Sequence, residues 1–129
     1  MAKVLVLLVT HKTFGRGLIN IISKRFSDAE ALITFIGFDE DEGNEDLLGK
    51  INLIKKDAYA VCFVDLKGGT PANACLASFW EASDIPVISG VNVEMLRTAV
   101  VLIQEDCFDM HAVQSILQLG KSSVSSIDL

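Results

Sequence analysis

Four stretches of strand length, VLVLLVT, LITFIG, AVCFVD and PVIS, are apolar almost without interruption, and each is followed by residues with helical spacing. A strand with one face in water alternates apolar and polar residues, whereas a strand covered on both faces has no reason to. The chain is therefore confined to sheets with helices packed on either side. Because strands and helices alternate, the sheet is predicted to be mostly parallel and doubly wound, an α/β fold. The predicted strands are Val4–Thr10, Leu32–Gly37, Ala60–Asp65 and Pro86–Ser89, with a weaker fifth at Val124–Leu129. Five amphipathic stripes lie between them: Leu18, Ile19, Ile22 and Phe26; Leu47, Leu48, Ile51 and Ile54; Ala72, Leu76, Phe79 and Trp80; Leu96, Val100 and Ile103; and Met110, Val113 and Leu117. Gly120 is expected to close the last helix as its C′ residue. The serine-rich SSVSSIDL is a poor inner strand and suits an edge, with a pairing partner outside its own subunit.

A length of 129 residues fits one domain, 1–129, able to bury roughly two-thirds of its unfolded surface without a metal or disulfide. Half the residues are hydrophobic, yet every apolar run falls well short of the ~20 residues of a membrane span. The opening MAKVLVLLV lacks the parts of a signal peptide and reads as the first core strand. A net charge of −6 with no Lys/Arg cluster speaks against a nucleic-acid partner. Cys62, Cys75 and Cys107 show no C-x-x-C pairing and are read as small hydrophobes in a reducing cytoplasm.

In open α/β sheets, function gathers at the carboxyl ends of strands, where strand order reverses. With the order 2-1-3-4 that crevice lies between the first and third strands. The first ends in Thr10-His11 and the third in Val64-Asp65. A carboxylate that accepts the Nδ1–H of an imidazole fixes its tautomer and leaves the Nε2 lone pair free for use as base, ligand or nucleophile. The bland alternative is a histidine merely satisfied at a strand end.

LKGGTPAN, directly after Asp65, bears on that choice. Its glycines permit positive φ, Thr70 is placed as an N-cap and Pro71 at N1, so a helix is expected to start there. A glycine turn opening a helix supplies free N–H groups and the positive end of a dipole, which suits an anion. The pattern is neither G-x-G-x-x-G nor a Walker loop, so nucleotide binding does not follow. GGTP on its own is equally a plain capped turn. Beside His11 and Asp65 it suggests a histidine that carries a phosphoryl group.

Three motifs, THKTFGRGL, VDLKGGTPANA and VISGVNVEML, occur in order over nearly the whole chain. Together they resemble the mannose-family IIA component of the bacterial phosphoenolpyruvate-dependent sugar phosphotransferase system. The resemblance implies a homodimer, a four-stranded parallel sheet, and a C-terminal antiparallel edge strand exchanged between subunits, where SSVSSIDL falls. It implies a cytoplasmic protein-to-protein phosphotransferase without metal or cofactor. HPr would be the donor, a IIB component the acceptor, and the membrane IIC/IID transporter an indirect partner. His11 would accept and donate the phosphoryl group, Asp65 would orient His11, and Gly69 and Thr70 would hold the phosphoryl oxygens. Two residues depart from the common pattern: Lys12, where glycine often follows the histidine, and Glu94, where proline is frequent in the third motif.

Two other functions compete. A receiver-like domain would be phosphorylated on Asp65, but it needs an acidic pair for magnesium at the end of strand one, where Thr10 and His11 stand. A regulatory protein would keep the fold and dock transporter components without passing phosphate on. Elsewhere, DEDEGNED (Asp39–Asp46) lacks EF-hand spacing and reads as a solvated loop and helix start capped by Asp41 or Asn44. His111 is expected on the surface, Phe79 and Trp80 as core or dimer contacts, and Asn92 as a helix cap.

Overall fold

The computed structural model describes residues 4–79 and 85–128. Strands β1 (Leu5–His11), β2 (Ile33–Phe38), β3 (Tyr59–Val64) and β4 (Val87–Ile88) form one sheet in the order β2-β1-β3-β4. All three strand pairs are parallel. The helices are α1 (Lys12–Ser23), α2 (Asn44–Ile54), α3 (Thr70–Ser78), α4 (Val93–Gln104) and α5 (Ala112–Ser122), with a 3₁₀ turn at Glu30–Leu32 before β2. Trp80 and Leu129 lie outside the described residues.

The uninterrupted apolar strands are explained by two cores. Val6 and Leu8 of β1 and Val61 and Phe63 of β3 point one way, against Ile19 and Ile22 of α1, Leu96 and Val100 of α4 and Ile116 of α5. Leu7 and Val9, with Cys62 and Val64, point the other way, against Leu47 and Ile51 of α2 and Ala72 and Cys75 of α3. Side chains alternate along a strand, so both sets must be apolar once helices cover both faces. Each fully buried leucine, isoleucine or valine contributes about 1.5–3 kcal/mol by leaving water.

Gly15 sets how closely α1 approaches the sheet. A Cβ there would stand 2.4 Å from both the Phe35 ring and Thr10 Oγ1, so no side chain fits. This glycine allows α1 to begin directly at the end of β1, with no connecting loop.

Several local expectations are corrected. Gly120 does not end α5, which continues to Ser122. It lies where α5 crosses α4, and a Cβ at this position would come within 2.4 Å of Met95 Cγ. The sequence signal was a contact glycine, not a terminating one. Gly69 is the N-cap of α3, which moves Thr70 to N1 and Pro71 to N2. The cap of α2 is Gly43, whose N–H donates to Asp46 Oδ2 at 3.2 Å, so neither Asp41 nor Asn44 serves. Asn92 does cap α4, accepting from the Met95 N–H at 2.9 Å. Its amide also donates to the Gly120 carbonyl at 3.1 Å and to Ser123 Oγ at 3.3 Å, tying the start of α4 to the end of α5.

Helix α4 ends at Gln104 with Glu105 as its C-cap, and Asp106, the next residue, has φ 55°. The Asp106 N–H reaches the Ile103 carbonyl at 3.1 Å and the Cys107 N–H reaches that of Leu102 at 2.7 Å. This is a Schellman ending, with aspartate in the position glycine usually takes. After α5, Val124–Asp128 form no strand within the chain, and Val124 and Ile127 are exposed.

Candidate active site

Strand alternation decides where His11 points. As the odd-numbered end of β1, it shares a face with Leu7 and Val9 and so looks toward α2 and α3. Its Cα partner across the parallel pair is Phe38, the last residue of β2. Asp65 comes from the other side, one residue past the end of β3.

The carboxylate of Asp65 is held at both oxygens. Oδ2 accepts the His11 backbone N–H at 3.0 Å and the ring Nδ1–H at 2.6 Å. Oδ1 accepts the Leu66 N–H at 3.1 Å. A carboxylate at this distance can only accept, so Nδ1 carries a proton, and in the neutral ring Nε2 is the nitrogen with the free lone pair. The Asp65 side chain is 8% exposed and that of His11 32%, so the acid is sheltered and the imidazole opens outward. The backbone of Asp65 is fixed as well: the Gly90 N–H donates to its carbonyl at 3.2 Å, and the Val91 N–H to that of Val64 at 3.2 Å. Gly90 makes this turn with φ +73°. The SGVN segment therefore braces the acid that holds the histidine.

His11 opens into a cavity of about 390 Å³, also lined by Phe38, Glu40, Glu42, Asn44, Thr70 and Asn73. Three helices begin around it: α1 immediately after His11, α2 at Asn44 and α3 at Thr70. Their leading N–H groups lack helical acceptors and carry the positive ends of the dipoles. A parallel sheet produces this convergence, because each helix starts where its strand runs out. The cavity thus sets the His11 ring beside helix N-termini and the donors of Thr70, Asn44 and Asn73, which suit an oxyanion-rich group, with the carboxylates of Glu40 and Glu42 also in the lining.

Of the two residues expected to contact that group, Thr70 lines the cavity and Gly69 stands behind it. The Gly69 N–H is turned back toward the Leu66 carbonyl at 3.4 Å. Gly68, at φ +80°, makes the turn, and the Asn73 amide donates to its carbonyl at 3.4 Å. Phe38, Glu40, Glu42 and Asn73 were not among the site residues expected from the sequence, and Asn44 was expected only as a helix cap. Phe38 was within reach of that reasoning, since order 2-1-3 puts the end of β2 beside the end of β1. The acidic loop is more than a solvated helix start, because Glu40 and Glu42 border the cavity. Glu42 is paired with Lys50 Nζ at 2.7 and 2.9 Å. Lys12 is exposed at the first position of α1.

Elsewhere, Cys62 and Cys75 are buried with their sulfurs 3.4 Å apart, and Cys107 is exposed. The hydrogen bond with Cys75, together with burial, pushes the Cys62 thiol well above its ordinary range. His111 is exposed at the start of α5. Glu94 pairs with Arg97 one helical turn on, which holds its carboxyl below the usual range. A larger depression of about 570 Å³ at the opposite edge of the sheet, between Tyr59, Phe108 and Met110, contains no histidine or cysteine. Among the described residues, no helix is long and apolar enough to cross a membrane, and no group of His, Cys, Asp or Glu is placed to hold a metal ion.

The model of the EIIA-man family, described as "PTS system fructose IIA component", matches residues 5–113. No curated protein matches the chain. Among solved structures, a mannose/sorbose-specific IIA subunit of the phosphotransferase system from Enterococcus faecalis superposes with a TM-score of 0.81 at 23% identity, covering 98% of this chain and 96% of that one. The phosphotransferase system component EIIA of Streptococcus agalactiae gives 0.83 at 22% identity, with 95% and 96% covered. A PTS IIA protein associated with the fucose utilization operon of Streptococcus pneumoniae gives 0.77 at 20% identity, with 98% and 96% covered. At these identities the structures establish the shared fold.

Proposed function

The chain belongs to the EIIA-man family of phosphotransferase-system IIA components, and on that premise we propose that it carries a phosphoryl group on Nε2 of His11, taken from HPr and passed to a IIB component. The observation that carries this reading is the 2.6 Å contact between Nδ1 and Asp65, which makes Nε2 the nitrogen with the lone pair in the neutral ring of a histidine that lines the cavity.

The step is an in-line displacement. The Nε2 lone pair attacks phosphorus, the phosphorus–nitrogen bond of the donor phosphohistidine breaks, and its electron pair returns to the donor's imidazole. The His11 ring gains positive charge as the new bond forms, and Asp65 stabilises that charge from behind. The three equatorial oxygens meet the hydroxyl and amide of Thr70 and the leading amides of the surrounding helices, with Gly69 shaping the turn that presents them. Positioning and charge stabilisation are all that is required of the protein. A metal or cofactor is not needed, because the donor already holds its phosphate on a good leaving group. Transfer to the IIB component runs the same step outward, in support of sugar uptake through the IIC/IID transporter.

In this reading, residues 1–129 act as one phosphocarrier domain in the cytoplasm. Exposed Phe14 and Leu66, close in sequence to His11 and Asp65, offer apolar contacts to the two successive partners. The short edge strand β4 and the exposed apolar residues Val124 and Ile127 suit a homodimer in which the C-terminal segments are exchanged as antiparallel edge strands. The receiver-like alternative is poorly supported, because both Asp65 oxygens are engaged by N–H groups.

The test is incubation with phosphoenolpyruvate, enzyme I and HPr, comparing the native protein with His11→Ala. An acid-labile, alkali-stable phosphate that is absent from the variant, and that chases onto a IIB component, is the expected result. Phosphate retained by His11→Ala at normal yield refutes the assignment. Phosphate that forms but never leaves for a IIB partner makes the protein a regulatory one.

A further inference from the structure

A single hydrogen bond does not orient a ring. The Asp65 carboxylate holds one ring nitrogen along the Nδ1···Oδ2 line, and small coupled changes of χ1 and χ2 can still tilt the ring about its Cβ–Nδ1 axis, shifting Nε2 in the cavity mouth. A second contact, off that axis, is required to fix the ring plane. Phe38 is placed to provide it. It is the direct Cα partner of His11 in the parallel β1–β2 pair, so both side chains rise from the same face of the sheet. The ring centroids are 5.4 Å apart with the planes 80° to one another, an edge-on aromatic contact. The Phe38 ring is itself fixed, since it is buried in the α2–α3 core while lining the same cavity as His11. Asp65 and Phe38 thus close on the imidazole from opposite neighbouring strands.

We infer that Phe38 is a positioning residue for phosphoryl transfer, its ring holding the plane of the His11 imidazole so that Nε2 faces an incoming phosphorus in line. This rests on the phosphocarrier reading above for its reaction, but not for its geometry. Phe38 touches no reacting atom. Its effect is exerted through His11, and a loosened ring should lower the rate within the docked complex without changing how well partners dock.

The experiment compares the native protein, Phe38→Leu and Phe38→Tyr in single-turnover phosphorylation by phospho-HPr, with nitrogen-15 NMR of the His11 ring. Phe38→Leu keeps apolar bulk but removes the aromatic edge. Its rate at saturating phospho-HPr is expected to fall about tenfold, within the range that small misplacements of a reacting group produce. The half-saturating concentration should stay within about twofold, and the ring-nitrogen resonances should shift and broaden as the ring gains motion, with the Nδ1–H tautomer still held by Asp65. Phe38→Tyr restores the rate to within about threefold of native, because the ring plane is again held. In the native protein the His11 ring protons carry a ring-current displacement from Phe38, a measurement that stands even if Phe38→Leu fails to fold.

A native rate with unchanged ring nitrogens in folded Phe38→Leu overturns the inference. So does a rate loss matched by an equal rise in half-saturation, which would make Phe38 a docking contact. Absence of the ring-current displacement in the native protein overturns it too. If the native protein takes no phosphate, the phosphocarrier reading fails instead, while the ring measurements still judge whether Phe38 holds the imidazole.

Discussion

Replacing Asp65 by asparagine keeps the shape of the side chain while removing its charge, and so tests what the carboxylate contributes to the proposed transfer. The asparagine amide can face His11 with its oxygen or its nitrogen. With the oxygen toward His11, both His11 donors remain satisfied and only the Leu66 N–H loses its acceptor; that N–H is exposed, so water replaces the lost bond. This orientation is favoured, and the tautomer is kept. The loss is then electrostatic. A full positive charge on the imidazole, about 4 Å from the carboxylate, is worth about 4 kcal/mol at the effective dielectric constant of about 20 suited to a partly exposed pair. If about half of that charge has developed in the loose transition state, the variant forfeits about 2 kcal/mol, or roughly 30-fold in rate.

Asp65→Ala should be worse. It also leaves the His11 backbone N–H without its acceptor and frees the tautomer, adding about 1–3 kcal/mol. Slow phosphoprotein formation should still be detectable, because Nε2 remains. The assay is rapid-quench phosphorylation by phospho-HPr at saturating donor, at low and high salt. A partly buried contact is only weakly screened, so salt should not reproduce the defect. The reasoning is refuted if Asp65→Asn transfers within threefold of the native rate, or if Asp65→Ala is no slower than Asp65→Asn.

Three further outcomes concern the scaffold. Gly120→Ala should destabilise the protein by about 1 kcal/mol in urea unfolding, the clash with Met95 outweighing the helix propensity of alanine; in a Met95→Ala background the sign should reverse, which a terminating glycine would not allow. Asp106→Gly should stabilise by about 0.5–1 kcal/mol, raising the denaturation midpoint at unchanged slope, because it relieves an aspartate held at positive φ. Under native conditions a maleimide should modify Cys107 alone, and all three thiols after unfolding, since Cys62 and Cys75 are sealed between β3 and α3; rapid native labelling of either would contradict that packing.

The fold was legible because two-sided burial leaves a direct mark: Val6 and Leu8 serve one core, Leu7 and Val9 the other, and no polar residue interrupts them. The meeting of His11 with Asp65 was legible for a related reason. Strand order places the carboxyl ends of β1 and β3 side by side, and both residues sit at those ends whatever their side chains do. Phe38 was lost through a boundary, because Gly37 is a weak strand former and the predicted strand stopped there. In the structure Gly37 instead stays small against Lys12, whose Cα lies 3.3 Å from where a Cβ would stand, and the strand runs one residue further. Gly120 was misread because a glycine that ends a helix and one that admits a neighbouring helix look alike until the neighbour is known. Val124–Asp128 form no strand among the described residues, although the partly alternating SSVSSIDL suggested an edge strand. Backbone topology thus determines where a functional group is, while side-chain contacts from distant segments determine how it is turned. Substitutions should divide accordingly: removing His11 abolishes transfer, whereas loosening Asp65 or Phe38 slows it by factors that report how tightly the imidazole was aimed.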